Sequence, residues 1–193
     1  QDFGQGQLLE GHRLTLMKVL PIIIAPDRRL KTRCQPVDTV TDAVRAKLDA
    51  MLATMYEAPG IGLAAPQVAD MRRLIVMDVA RDDAPPEPLK IVNPEIVWTS
   101  ETTCVMSEGC LSIPDIYYDV RRPERVTATF LDETGAEREI EADGLLARCL
   151  LHEIDHLNGV LFIDHVSMLK RNMALSKMKK LKAAEPGRHS AHR

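Results

Sequence analysis

The chain has 193 residues, 45% hydrophobic and 27% charged, with a formal net charge of −3, the balance of one soluble globular domain. That composition excludes a collagen-like or wholly disordered chain, and no apolar run reaches the ~18–20 residues of a membrane-spanning helix. Aromatics are scarce (three Phe, three Tyr and one Trp), so Leu, Ile, Val, Met and Ala must build the core.

In chain order, residues 1–16 are rich in Gly and Gln and read as a loosely ordered extension, native or appended, before a natural start at Met17. They lack the basic-then-apolar pattern of a signal peptide. Thr39 or Thr41 can cap a helix over 42–57, where Val44, Leu48, Met51, Leu52 and Met55 recur at helical spacing. Leu74 to Val79 reads as a buried strand, and Arg81 to Pro88 (RDDAPPEP) as a surface loop. Ile91–Val92 and Ile96–Trp98 are short strands broken by Asn93–Pro94. Val126 to Phe130 and Glu137 to Ala142 form a hairpin across Glu133-Thr134-Gly135. Asp143 caps a helix through Leu145, Leu146, Cys149, Leu150 and Leu157, stopped by Asn158–Gly159. A last amphipathic helix covers 167–183, with Met168, Leu169, Met173, Leu175, Met178 and Leu181 on its apolar side. The fold class is α+β, one domain over 1–193, with a basic C-terminal helical segment at 165–184. Between His165 and Arg193, eight Lys or Arg face one acid, a net +7 that leaves −10 for the rest. Such a tail suits an anionic partner or a plain solvated helix face.

The strongest chemical signal is His152-Glu153-Ile154-Asp155-His156. Residues four apart share a helix face, so both imidazoles can bind one metal ion, with Glu153 beside it to take a proton from water. The helix is otherwise too apolar to be a surface element. A third ligand could come from downstream, as His165 or Asp164, or from Cys110 upstream in Glu108-Gly109-Cys110-Leu111-Ser112-Ile113-Pro114. The four cysteines, Cys34, Cys104, Cys110 and Cys149, form no CxxC pair and read as reduced thiols of a cytosolic protein. Gly60-Ile61-Gly62-Leu63-Ala64-Ala65-Pro66-Gln67 is a stretch of small residues that permits close backbone approach to a ligand. Gln67 offers it a neutral donor to a developing negative charge.

In that order, GIGLAAPQ, EGCLSIP and HEIDH resemble the three signature motifs of the peptide deformylases, over about Met17 to Lys182. The resemblance implies small antiparallel β-sheets packed around the helix that carries HExxH, plus a C-terminal helix. It implies a bacterial, cytoplasmic enzyme that removes the formyl group from the N-terminal formylmethionine of nascent proteins. Cys110, His152 and His156 would hold one divalent metal, natively Fe²⁺, with Zn²⁺, Ni²⁺ or Co²⁺ as alternatives. Glu153 would act as general base, and Gln67 and the Leu111 N–H would stabilise the oxyanion. The backbone near Ile61, Gly62 and Gly109 would pair with the peptide, and Cys149 would line the site. The basic helix could dock on ribosomal RNA; neither DNA nor a membrane is expected as a partner. Two positions depart from the family pattern: Leu151, usually Gln, and Arg148, usually small or aliphatic. Arg148 lies one turn before His152, either at the rim of the pocket for the methionine side chain or snorkelling out to solvent. An HExxH endopeptidase with a downstream third ligand, and a non-enzymatic protein with a structural metal and an RNA-docking tail, are the competing readings.

Overall fold

Helical spacing of Val44, Leu48, Met51 and Met55 gives α1, Asp42–Glu57, one buried stripe. Thr41 is its N-cap residue, although its side chain makes no capping bond. The computed structural model describes residues 19–80 and 84–184. The extension 1–16, the start at Met17 and the last basic residues, Arg188 and Arg193, lie outside the described residues. The predicted loop is irregular over its described part, 84–88.

Seven strands follow: β1 Gly62–Ala64, β2 Leu74–Met77, β3 Leu89–Thr99, β4 Thr103–Cys110, β5 Ile113–Pro123, β6 Arg125–Leu131 and β7 Glu137–Asp143. Five make one antiparallel sheet in the order β1-β2-β3-β6-β7, while β4 and β5 form a separate hairpin. Successive strand side chains point to opposite faces. In β2, Leu74 and Val76 therefore pack with α1, and Ile75 and Met77 pack against α2, Gly144–Leu157, on the other face. A short 3-10 turn, Phe162–His165, leads to α3, Met168–Ala184.

Helix α2 lies between the five-stranded sheet and the hairpin. Its Ala147, Leu150, Ile154 and Leu157 meet the sheet, its Arg148 and His152 reach Glu108 of the hairpin, and its Glu153 lies against Gly62 of β1. The expected α+β architecture around the HExxH helix holds, and its stop is as expected: Gly159 takes a φ of +74°, which glycine adopts without strain.

Three expectations are corrected. The two strands broken at Asn93–Pro94 are one strand, β3, with a register shift between Val92 and Glu95. Asn93 takes a φ of +52°, and its amide exchanges two 2.8 Å hydrogen bonds with the Val37 backbone, so the break becomes a bulge. Another lies at β4 and β5, which carry EGCLSIP: the sequence predicts no hairpin there, and none of the predicted strands covers 103–123. On α3, Met168, Leu169 and Met173 are exposed; Ala174 and Met178 are the buried pair, with Leu175 and Leu181 packed on the hairpin side of the core.

Candidate active site

Gly62 and Ala64 share the face of β1 that meets α2, and α2 comes close there. A Cβ on Gly62 would overlap Glu153 Oε1 and lie 2.7 Å from Cys149 Sγ. Only glycine leaves room for that carboxylate. Gly62→Ala is therefore expected to lower stability by about 1–3 kcal/mol through overpacking. By displacing the carboxylate, it should also lower kcat/KM at least about 100-fold. Thermal unfolding and formate release measure the two effects; wild-type values for both would show that the contact yields at no cost.

His152 and His156 lie one turn apart on α2, both buried, with ring centroids 5.0 Å apart. Cys110, at the end of β4, brings Sγ to 3.2 Å from His156 Nε2. One ligand atom from each of Cys110, His152 and His156 lies within 4.8 Å of the others. His152 places Nδ1 3.1 Å from Glu108 Oε2, which leaves Nε2 for the cluster. His156 Nδ1 is buried with no hydrogen-bond partner among the described residues, and burial holds this ring well below the ordinary histidine range. A neutral imidazole is the form that binds metal. One thiol and two imidazoles converging in a buried place suit a divalent metal with a fourth position left open.

The downstream alternatives are committed elsewhere. His165 Nε2 is 2.7 Å from Asp155 Oδ2. Asp164 pairs with Lys31 and Arg171 and accepts from the Leu161 N–H.

Glu153 is buried, and its Oε2 has no hydrogen-bond partner among the described residues. Burial pushes its carboxyl up to about 7, against the opposing pull of His152 and with further push from the Glu108 charge. A carboxyl with that affinity for protons suits a general base near neutrality. Gln67, 1% exposed, is oriented through both ends of its amide. Oε1 accepts from the Ala64 N–H at 2.8 Å, and Nε2 donates to Ser112 Oγ at 3.2 Å and toward Cys110 Sγ at 3.5 Å. Leu111 follows Cys110 in the turn between β4 and β5, and its N–H donates to no acceptor among the described residues. Gly109 lies against the Tyr117 ring: a Cβ there would sit 2.5 Å from it. A cavity of about 390 Å³ opens over these groups, with Ile61, Gly62, Gly109, Cys149 and Glu153 in its lining.

The sequence reading misses the support around the ligands. Glu108 is buried and accepts from Arg122 Nε at 2.7 Å and Nη2 at 2.9 Å, besides its contact with His152. Burial alone would raise it, but the bonds from Arg122, His152 and Arg148 hold it far below the usual carboxylate range. Arg122 Nη1 reaches Asp155 Oδ2 at 2.7 Å. Glu108 stands two residues from Cys110 across an irregularity in the β4–β5 register, so strand alternation does not link them in the sequence. Arg148 neither snorkels out nor sits at the rim. It is buried within the cavity lining, with its guanidinium turned inward to Glu108. Leu151 packs on the core between α2 and the sheet.

Comparison with known proteins agrees with this geometry. The polypeptide deformylase family profile matches residues 19–172. A peptide deformylase from Methylocella silvestris is 57% identical over 184 residues, covering 91% of this chain and 94% of its own. The peptide deformylase of Ehrlichia chaffeensis, solved in complex with actinonin, superposes with a TM-score of 0.83 at 41% identity, over 86% of this chain and 99% of that one. A Met-Ala-Ser-bound class I type b peptide deformylase from Acinetobacter baumannii gives 0.74 at 37% identity, over 78% of this chain and all of the other. With a family match across most of its length and all three motifs folded into one site, the chain belongs to the peptide deformylase family.

Proposed function

We propose that Cys110, His152 and His156 hold the metal of this deformylase, and that Glu153, Gln67 and the Leu111 N–H carry out the chemistry beside it. Family membership supplies the reaction: a metal-dependent hydrolase removes the N-formyl group from the N-terminal formylmethionine of nascent proteins and releases formate. The observation that carries the residue assignment is one juxtaposition. Glu153, whose buried Oε2 has no hydrogen-bond partner among the described residues, lines one cavity with Gln67, Cys110 and His152, and His156 converges on the latter two.

When bound, the metal supplies Lewis acidity to the formyl oxygen and to water; Fe²⁺ is the proposed native ion. Glu153 takes the proton of the attacking water and passes it to the leaving amine. Gln67 Nε2 and the Leu111 N–H donate to the oxygen on which charge develops. Among the described residues no strand pairs with the outer edge of β1, and with Gly109 across the cavity that edge can receive the peptide as an added strand. Cys149 and Ile61 wall the entry for the first residues.

The direct assay is formate release from formyl-Met-Ala-Ser by anaerobically purified protein with its metal quantified. Gln67→Ala is expected to lower kcat about 10²–10³-fold, the cost of one lost oxyanion donor. A loss below threefold would remove Gln67 from this role.

The same reading extends to α3, which carries six Lys or Arg and no acid. We assign it to ribosomal RNA in the bacterial cytoplasm. Phosphate contacts release counterions, so ribosome binding should weaken at least about tenfold between 50 and 200 mM salt. Affinity that stays flat across that range would refute the docking.

A further inference from the structure

The Ile61 carbonyl accepts from the Asp78 N–H at 2.9 Å and from Cys149 Sγ at 3.5 Å. Asp78 thereby carries the β1–β2 pairing one residue past Gly62 and Met77, with Ile61 opposite Asp78. A trans peptide is planar, so its C=O and N–H point opposite ways. An Ile61 carbonyl held on the β2 side therefore aims the Gly62 N–H at the outer edge of β1. In an antiparallel pair this is the ordinary alternation, with Ile61 bonding inward and Gly62 outward.

Asp78 also holds the chain a few residues upstream. Its Oδ2 accepts from the Tyr56 hydroxyl at 2.5 Å, and its Oδ1 from the Ala80 N–H at 3.0 Å. Tyr56 lies in the last turn of α1, and only residues 57–60 separate it from Ile61. One buried residue thus fastens both ends of 56–61, through its side chain at Tyr56 and its backbone at Ile61. Burial alone would raise the Asp78 carboxyl, but the bonds from Tyr56 and from backbone N–H groups hold it below the usual carboxylate range. Burial and the Asp78 carboxylate push the Tyr56 hydroxyl up to about 12, so the phenol keeps its proton and stays a donor. Such a charge-assisted bond is stronger than a neutral one.

Neither Tyr56 nor Asp78 lines the cavity, whereas Pro59, Gly60, Ile61 and Gly62 all do. We propose that the Tyr56–Asp78 bond is a positioning device for the peptide-binding edge: it fixes the lip 58–61 and, with it, the direction of the Gly62 N–H. Gln67 and the Cys110–His152–His156 cluster are held by bonds of their own, so the effect falls on capture of the peptide and not on the chemical step. This rests on the reading that the peptide pairs with β1 as an added strand.

The test compares formate release from formyl-Met-Ala-Ser and from formyl-methioninamide, which ends before a second residue. Main-chain bonds supply the affinity of an added strand, so the wild type should prefer the longer substrate in kcat/KM by at least about tenfold. Tyr56→Phe keeps the ring and removes the bond. It should shrink that preference about threefold to tenfold, the net worth of one hydrogen bond. The change should appear in KM for formyl-Met-Ala-Ser, with kcat within about twofold of wild type. Asp78→Ala should do the same, and the double variant should be no worse than the poorer single one, because both remove one shared bond. Asp78→Asn still offers the hydroxyl an oxygen and should restore KM to within about twofold of wild type; if the alanine variant does not fold, Tyr56→Phe and Asp78→Asn decide. A folded Tyr56→Phe with the wild-type KM and preference overturns the proposal, as does a loss confined to kcat. A wild type that treats both substrates alike overturns the strand-pairing reading beneath it, and one that releases no formate from either overturns the functional reading.

Discussion

Glu153→Gln leaves the metal content unchanged and lowers kcat/KM for formyl-Met-Ala-Ser by about 10³-fold. The proposed ligand atoms belong to Cys110, His152 and His156, none of which bonds to Glu153. Glutamine has the same shape, so it fits under Gly62 where even a methyl group on that glycine does not. What it lacks is a basic oxygen. Burial raises the proton affinity of Glu153, which means the folded protein holds this carboxyl in surroundings that disfavour its charge. The variant should therefore unfold no earlier than wild type, since an uncharged amide replaces a poorly solvated carboxylate. Activity lost with stability kept is the mark of a group retained for chemistry. A purely structural metal site would be indifferent to the change, so wild-type formate release by Glu153→Gln would sink the assignment.

Cys110→Ala separates the deformylase arrangement from an endopeptidase with a downstream ligand. Removing one of three protein ligands should weaken metal binding by more than about 100-fold, since even outer partners of metal ligands are worth 10–100-fold. Formate release falls with the metal. The hairpin should persist, because Cys110 is only partly buried and its contribution to packing is small. His165 cannot step in while Asp155 holds it, and Asp164 is engaged by two cations and a backbone N–H. Metal content and activity that survive in Cys110→Ala would place the third ligand elsewhere.

The parts of this site that were legible in the sequence are those that local geometry determines. Four-residue spacing put His152 and His156 on one face of α2, and Asn158–Gly159 marked its end. Small residues announced a close approach at Gly62, although not that Glu153 was the neighbour. What stayed hidden depends on partners distant in sequence. Arg148 and Glu108 stand 40 residues apart, and Arg122 and Asp155 stand 33 apart. An arginine read one residue at a time belongs at the surface; only the folded hairpin supplies the buried carboxylate that keeps two of them inside. Strand β4 lacked a clean alternation, since Val105 and Met106 are adjacent and both exposed. On α3, helical spacing drew one apolar stripe, but the core has room only for Ala174, Met178 and their flanks. Periodicity shows which residues share a face, not whether a neighbour waits for that face.

The hairpin also bears on how the molecule opens. Two strands without a third are marginal alone, so β4 and β5 must borrow protection from α2. The borrowing runs through Glu108, Arg122, Arg148 and Asp155. Pulling the hairpin from α2 would part Arg148 from Glu108 and Arg122 from Asp155, leaving charges buried without those partners, and this makes piecemeal opening costly. Amide hydrogen exchange should then find the hairpin and the second half of α2 exchanging together, as one cooperative unit with a shared opening free energy.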